Sequence, residues 1–332
     1  MVSSLYEKLL IKGGNILNKV GLLVLVMLSF AQINSMPADY SKMSANELNT
    51  ALIRSVENGR SDEMQKLVQA GANVNQKITY IETMGDCDYN VSYTLLEYAA
   101  RRSYVDIVKE LIRMKAKNDD INKALILAAK EGHPDVVIEL VRAKPKIDII
   151  NKALISAAHE CHTKVIKELI KAGAHVNHTD EYGNTALIEV IKYPFYTEAF
   201  YKYRDKKHRA EAIQDLIKAK ANVNHANKIG KTALIQAVEN HDFDTVQILL
   251  QTPGIKINHA DSDGNTALIR AIQCIRSSYI AGNKQQYNDC LNSQSILEKL
   301  LQTPGIDPHH VNKGGDTAIN LLKEINERMK KY

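Results

Sequence analysis

The eleven residues Asp180–Val190, "DEYGNTALIEV", decide how this chain is read, because they return in altered form along its length. "DSDGNTALIRA" begins at Asp261, "NKIGKTALIQA" at Asn227 and "NELNTALIRSV" at Asn46, with weaker copies "NKALILAA" from Asn122 and "NKALISAA" from Asn151. The position that is usually Thr in T-A-L-I falls at residues 50, 94, 123, 152, 185, 232, 266 and 317. The spacings are 44, 29, 29, 33, 47, 34 and 51 residues, so one basic unit is shortened twice and lengthened three times. Self-similarity at a period of roughly 20–50 residues signals a repeat architecture.

Each unit has the same local grammar. Asp261-Ser262-Asp263-Gly264 reads as a turn, with Gly supplying a positive φ. Thr266 stands where a hydroxyl caps a helix, and Ala267, Leu268 and Ala271 give that helix a small apolar face. A second helix follows, as in "PDVVIELVRA" at 134–143, where Val136, Val137, Leu140 and Val141 form one helical stripe. "AGANVN" (70–75) and "AGAHVN" (172–177) close a unit, Gly ending the helix. A lone unit of about 33 residues cannot bury its own apolar faces; stacked neighbours can, which gives a solenoid.

With these residues in place, the pattern D-x-x-G-x-T-A-L-x-x-A-A-x-x-G-H-x-x-V-V-x-x-L-L-x-x-G-A-x-V-N resembles the ankyrin repeat. Here T-A-L-I stands for the more usual T-P-L-H. Gly132-His133 matches the family's inter-helix turn, while Cys161-His162 and His241-Asp242 depart from it. The resemblance covers residues 45–332 in eight units. It implies an all-α solenoid of antiparallel helix pairs with β-hairpin fingers, whose finger and inner-helix surface binds another protein. Residues that vary between copies are then the candidate partner contacts. On finger tips these are Glu181, Tyr182, Lys228, Ile229, Ser262 and Asp263; on inner helices they are Arg54, Glu189, Gln236 and Arg270.

The uneven spacing has two causes. The short intervals lack a D-x-x-G turn, so two units should lose their fingers and leave a notch, with Asn122 and Asn151 as substitute caps. The long intervals hold insertions: 77–93 extends a finger, whereas 192–210 and 274–295 fall between inner and outer helices. Insertions longer than about 12–15 residues are often functional.

The 192–210 insertion, "KYPFYTEAFYKYRDKKHRA", is the sharpest local signal, with six of the chain's 19 Tyr and Phe residues. Its Tyr196, Tyr201, Tyr203, Arg204, Lys206 and Lys207 have the chemistry of an interface hot spot. Two other readings stay open: aromatics packed on their own unit under solvated charges, and base stacking with phosphate contact. The rest of the chain lacks the broad basic face that nucleic acid favours, so a nucleic-acid partner is not expected.

No enzyme, cofactor or metal motif emerges. "HECH" at 159–162 aligns with "KEGH" at 130–133, so repeat geometry accounts for its histidines, and "GKTAL" at 230–234 lacks the upstream Gly of a phosphate loop. Of four cysteines, Cys274 and Cys290 bracket the third insertion. Antiparallel helices there can bring their Cα atoms within the ~4.4–6.8 Å of a disulfide. Such a bridge would contribute roughly 3 kcal/mol in the chain-entropy model.

Composition, with 45% apolar and 24% charged residues, is that of folded protein. At the N-terminus Lys8, Lys12 and Lys19 precede the uncharged run Val20–Ala31, "VGLLVLVMLSFA". Such a run suits a signal peptide and is short of the ~20 residues that span a bilayer. Residues 1–35 are therefore set apart from a repeat domain over 36–332. Together with Glu7 those lysines account for +2 of the formal +5, leaving +3 beyond them. The expected product is an exported monomer, secreted or periplasmic; the alternative is an envelope-associated structural protein tethered by an uncleaved anchor, with membrane contact confined to residues 1–35. A basic signal followed by ankyrin repeats resembles proteins exported by host-associated bacteria, whose partners would be host proteins. Intact mass of the native protein checks the first expectation, a mature N-terminus at Gln32 or Met36. A full-length mass in the membrane fraction would support the anchor instead.

Overall fold

The computed structural model describes residues 40–84, 87–192, 206–281 and 284–329. A 3₁₀ turn, Tyr40–Lys42, leads into α1 (Ala45–Glu57), which pairs with α2 (Ser61–Gln69). The ribbon β1 (Lys77–Met84) and β2 (Cys87–Thr94) then precedes α3 (Leu95–Arg101) and α4 (Val105–Arg113). Next come the pairs α5 (Asn118–Glu131) with α6 (Pro134–Arg142), and α7 (Ile147–His159) with α8 (Thr163–Lys171). They are followed by α9 (Ala186–Lys192) with α10 (Lys206–Lys218), and α11 (Ala233–Glu239) with α12 (Phe243–Leu250). The last are α13 (Ala267–Ala281) with α14 (Lys284–Leu301), and α15 (Ala318–Met329). Odd-numbered inner helices pack on the next inner helix and even-numbered outer helices on the next outer one, except that α10 and α12 are joined through Arg209 and Asp242, with one continuous core between the two layers. The all-α solenoid, with eight inner helices among the described residues, is as the repeat grammar requires.

The core follows from the repeated apolar positions. Ala186, Leu187, Val190, Ile213 and Leu216 are all buried, as are their counterparts Ala233, Leu234, Ala237, Val246 and Leu249 in the next unit. Small Ala at the first helical position lets neighbouring inner helices approach, while Leu and Val fill the space between layers. Thr94, Thr232 and Thr266 accept from backbone N–H groups three residues on, as an N-cap should, and Thr94 completes a capping box with Glu97.

Two expectations need correction: Asn122 and Asn151 are not caps. α1 is capped by Ser44 in a capping box with Glu47, and Thr50 lies inside the helix with its hydroxyl donating to the Asn46 carbonyl. α5 and α7 begin four residues before their Asn, behind Lys117 and Lys146, which make no side-chain cap. Without a Gly turn to break it, the helix continues back through "NDDI" and "IDII", and the acids Asp119, Asp120 and Asp148 favour its first turn. The two fingers are indeed missing, but extra helical turns occupy their bases.

The third insertion is likewise helical: residues 274–281 lengthen α13 and residues 284–295 lengthen α14, giving a projecting antiparallel hairpin. The stretch 206–210 of the second insertion belongs to α10, so only 193–205 separates the helices of that unit, and Tyr196, Tyr201, Tyr203 and Arg204 lie outside the described residues. The first insertion is the finger extension expected, in the register Lys77↔Thr94 through Met84↔Cys87.

Neighbouring units are joined by asparagines. Oδ1 of Asn177, Asn224 and Asn258 accepts the N–H of Asn222, Lys256 and Asp307 at 2.7, 2.7 and 2.9 Å. The same three amides donate to the carbonyls of Lys220, Gly254 and Gly305. Asn151 serves the junction ahead of them, accepting from His175 N–H at 2.7 Å. In the closing loops, Lys115, Lys144 and Lys220 hold positive φ at positions where other copies have Gly. A left-handed L-residue costs roughly 1–2 kcal/mol, partly offset because Gly loses more entropy on folding. Lys220→Gly should therefore stabilise by about 0.5–1 kcal/mol in chemical denaturation, whereas Leu187→Ala should cost about 2–5 kcal/mol through the cavity it leaves.

Candidate functional site

From Thr179 onward the fingers form a regular row. Short antiparallel bridges Thr179↔Thr185, Ala226↔Thr232 and Ala260↔Thr266 define three of them, and Asn312–Asp316 makes a fourth. Each turn is set by its first side chain: Asp180 Oδ1 accepts from Tyr182 and Asn184 N–H, Asn227 Oδ1 from Ile229 and Lys231, and Asp261 Oδ1 from Asp263 and Asn265. The tips are then bonded to one another. Lys228 N–H donates to the Tyr182 carbonyl at 3.0 Å, Ser262 N–H to Ile229 at 3.1 Å and Lys313 N–H to Asp263 at 3.0 Å. One residue along, the Nε2 of His225, His259 and His310 bonds the carbonyl of Gly183, Gly230 and Gly264 at 2.8, 3.1 and 3.0 Å. A carbonyl only accepts, so these rings carry their proton on Nε2. Gly230 shows why the turn needs glycine: its φ is +74°, and a Cβ there would sit 2.6 Å from the Ser262 nitrogen.

This locked backbone presents variable side chains. Glu181, Tyr182, Lys228, Ile229, Ser262 and Asp263 are all exposed, Tyr182 by 61% and Ile229 by 54%. Lys192 Nζ lies 5.5 Å from the Tyr182 ring centroid, a cation–π contact at the foot of the finger. Arg54 is exposed on α1, where it lines a shallow 270 Å³ depression with Met43, Asn46, Glu47, Thr50 and Ala51. Lys207 is exposed on the first turn of α10, beside Lys206.

The inner-helix candidates behave differently. Glu189 is buried to 2% exposure, so it cannot be the surface contact that its alignment with Arg54 suggested. Its carboxylate accepts from His159 Nδ1 at 2.9 Å, Asn184 Nδ2 at 2.7 Å and Lys192 Nζ at 3.0 Å. Burial alone would raise its pKa, but the His159 and Lys192 contacts outweigh that and hold it below the ordinary 4.5. Arg270 is largely spoken for: it reaches Asp261, Asp263 and Glu239, and Lys231 pairs with Glu239 at 2.6 Å. Gln236 is half-buried and bonds Asn240. Arg209, at the end of the second insertion, is buried and paired with Asp242 at 3.1 Å, tying α10 to the start of α12. These buried charges are what pattern reading missed. The one available signal was Asp242 standing where other copies have His133 or His162.

Cys274 carries a thiol whose pKa is pushed up to about 11, by burial first and then by Glu239, so it stays protonated and unreactive near neutrality. The side chain of Cys290 lies outside the described residues. In "HECH", His162 Nε2 bonds the Lys130 carbonyl as His133 bonds that of Arg101, and Cys161 Sγ donates to the Val190 carbonyl. These are unit-to-unit contacts, and no His/Cys/Asp/Glu group able to hold a metal occurs among the described residues.

The comparisons agree with this geometry. The family model described as "Ankyrin repeats (3 copies)" matches residues 79–152, 125–198 and 203–281, more than half of the chain. The chain belongs to the ankyrin-repeat family. Among solved structures it is similar to the ankyrin repeat domain of Bcl-3, described as a unique member of the IkappaB protein family. That likeness has 21% identity and a TM-score of 0.53, over 68% of this chain and 92% of that one. At that identity it speaks to the fold alone. No curated protein sequence matches.

The Glu189 cluster makes a pH prediction. Its folded pKa is depressed, so its contribution is present above about 4.5 and is lost as pH falls through the folded value. Glu189→Gln should be less stable than wild type at pH 7, by about 1–3 kcal/mol for a charged hydrogen-bonded partner lost. That gap should narrow as pH is lowered below 4, measured by urea unfolding at both pH values.

Proposed function

We propose that the chain binds a partner protein across its finger tips and adjoining inner helices, holding it rather than transforming it. The observation that carries this reading is the pairing of Tyr182 and Ile229, large apolar side chains left exposed on tips whose backbones are fixed by neighbouring tips. A rigid backbone spends little entropy on binding, and exposed aromatic and aliphatic residues beside Lys228 and Glu181 supply the anchor and rim of a hot spot. The aromatic and basic residues of 193–207 follow directly in sequence after α9, whose Lys192 stacks on Tyr182. Export through residues 1–35, and with it a host-protein partner, belongs to the same proposal and rests on sequence alone. No helix among the described residues is long and apolar enough to cross a membrane.

Crosslinking and pulldown with the native chain identifies the partner, and affinity is then compared among variants. Tyr182→Ala with Ile229→Ser should weaken binding at least tenfold with little change in unfolding, because both side chains are already exposed. Joint replacement of Tyr196, Tyr201, Tyr203, Arg204, Lys206 and Lys207 by Ala or Ser should do the same. If that sixfold variant unfolds as readily as Leu187→Ala, its aromatics belong to the core and the segment is not a contact.

A further inference from the structure

The finger row has an unmatched end. In three successive junctions the second residue of a turn donates its N–H to the previous tip, and the histidine just before the turn bonds the next carbonyl of that tip. Glu181 occupies the first of these positions, and His178 the second, in the finger at 179–185. The two units immediately ahead of it have no fingers, and the Glu181 N–H and the His178 ring meet no carbonyl among the described residues. Glu181 is exposed and His178 half-buried. By position in the repeat they correspond to the two donors that grip a turn at every later junction, and the finger that would meet them is missing.

We infer that this end of the row receives a glycine-bearing turn from a partner protein, which continues the ladder by adding one finger to it. The occupant's chemistry follows from the junctions already present. It must offer two consecutive backbone carbonyls, and the second must belong to glycine, because a Cβ at Gly230 or Gly264 would lie 2.6 or 2.9 Å from the donor nitrogen. A cation on that turn would meet the exposed Glu181 carboxylate. The inference rests on the protein-binding reading and specifies one contact within it.

The probe is a cyclised peptide carrying Ala226–Thr232, "ANKIGKT", whose Ile229 and Gly230 carbonyls already serve this purpose within the chain. Titrated into the ¹⁵N-labelled full chain, it should shift the Glu181 amide and the His178 ring saturably. Glu181→Pro removes the donor yet suits the second position of the turn closed by Gly183 N–H on the Asp180 carbonyl. It should weaken binding at least tenfold without lowering Tm. Lys228→Pro, at the same position of the next turn, removes an internal bond and should lower Tm. A peptide with Gly230→Ala should bind at least tenfold more weakly. Unchanged affinity in the Glu181→Pro chain, equal binding of the alanine peptide, or shifts confined to other surfaces would each overturn the inference. A natural partner that depends on Tyr182 and Ile229 but ignores Glu181→Pro would overturn it alone and leave the broader reading standing.

Discussion

Everything in this molecule depends on one unit finding the next. The amide of Asn177 spans a junction, accepting the Asn222 N–H and donating to the Lys220 carbonyl, and Asn224 and Asn258 repeat the act. These backbone groups lie in loops, where no helix or sheet would satisfy them, and each needs its neighbour's side chain. The apolar faces need the same neighbour: Leu187 is buried only because inner helices stand on both sides of α9. Stability is therefore a sum of nearest-neighbour terms, and a change in one unit is felt chiefly at its two junctions.

That constraint explains where the chain tolerates irregularity. Two insertions leave the room that stacking requires: the ribbon grows out from a finger, and the α13–α14 hairpin extends beyond its unit. Neither separates an asparagine from the loop it bridges. The lost fingers are equally instructive. Where "NDDI" and "IDII" replace a Gly turn the inner helix lengthens, and at the second of these Asn151 takes over the bridging role, so that junction survives the loss of the turn.

The repeat, its helix pairs and the positions of the insertions were legible because they depend on period and on turn chemistry, which are local. The misreadings share a different origin. Asn122 and Asn151 look like caps because Asn commonly is one, yet whether a helix stops there depends on what precedes it, and the acids at 119, 120 and 148 were the overlooked signal. Glu189 looked like a surface residue by alignment with Arg54, Gln236 and Arg270. Its burial required His159 from the preceding unit, which no single-unit pattern contains. The finger contacts were legible to the extent that recurrent His225 and His259 followed the repeat; that they bond the preceding tip could be seen only once the tips were placed.

The same ladder that stiffens the finger row also gives it a direction. Donors face the preceding unit at every junction and carbonyls face the following one, so any row of fingers begins with unused donors and ends with unused carbonyls. In an unbroken array those ends lie at the termini of the solenoid. Here the two fingerless units move the donor end to residue 181, inside the molecule, beside an exposed tyrosine and the lysine that stacks on it. A shortened repeat thus does more than remove a finger: it turns a packing contact into an exposed, directional one whose geometry the remaining units keep fixed.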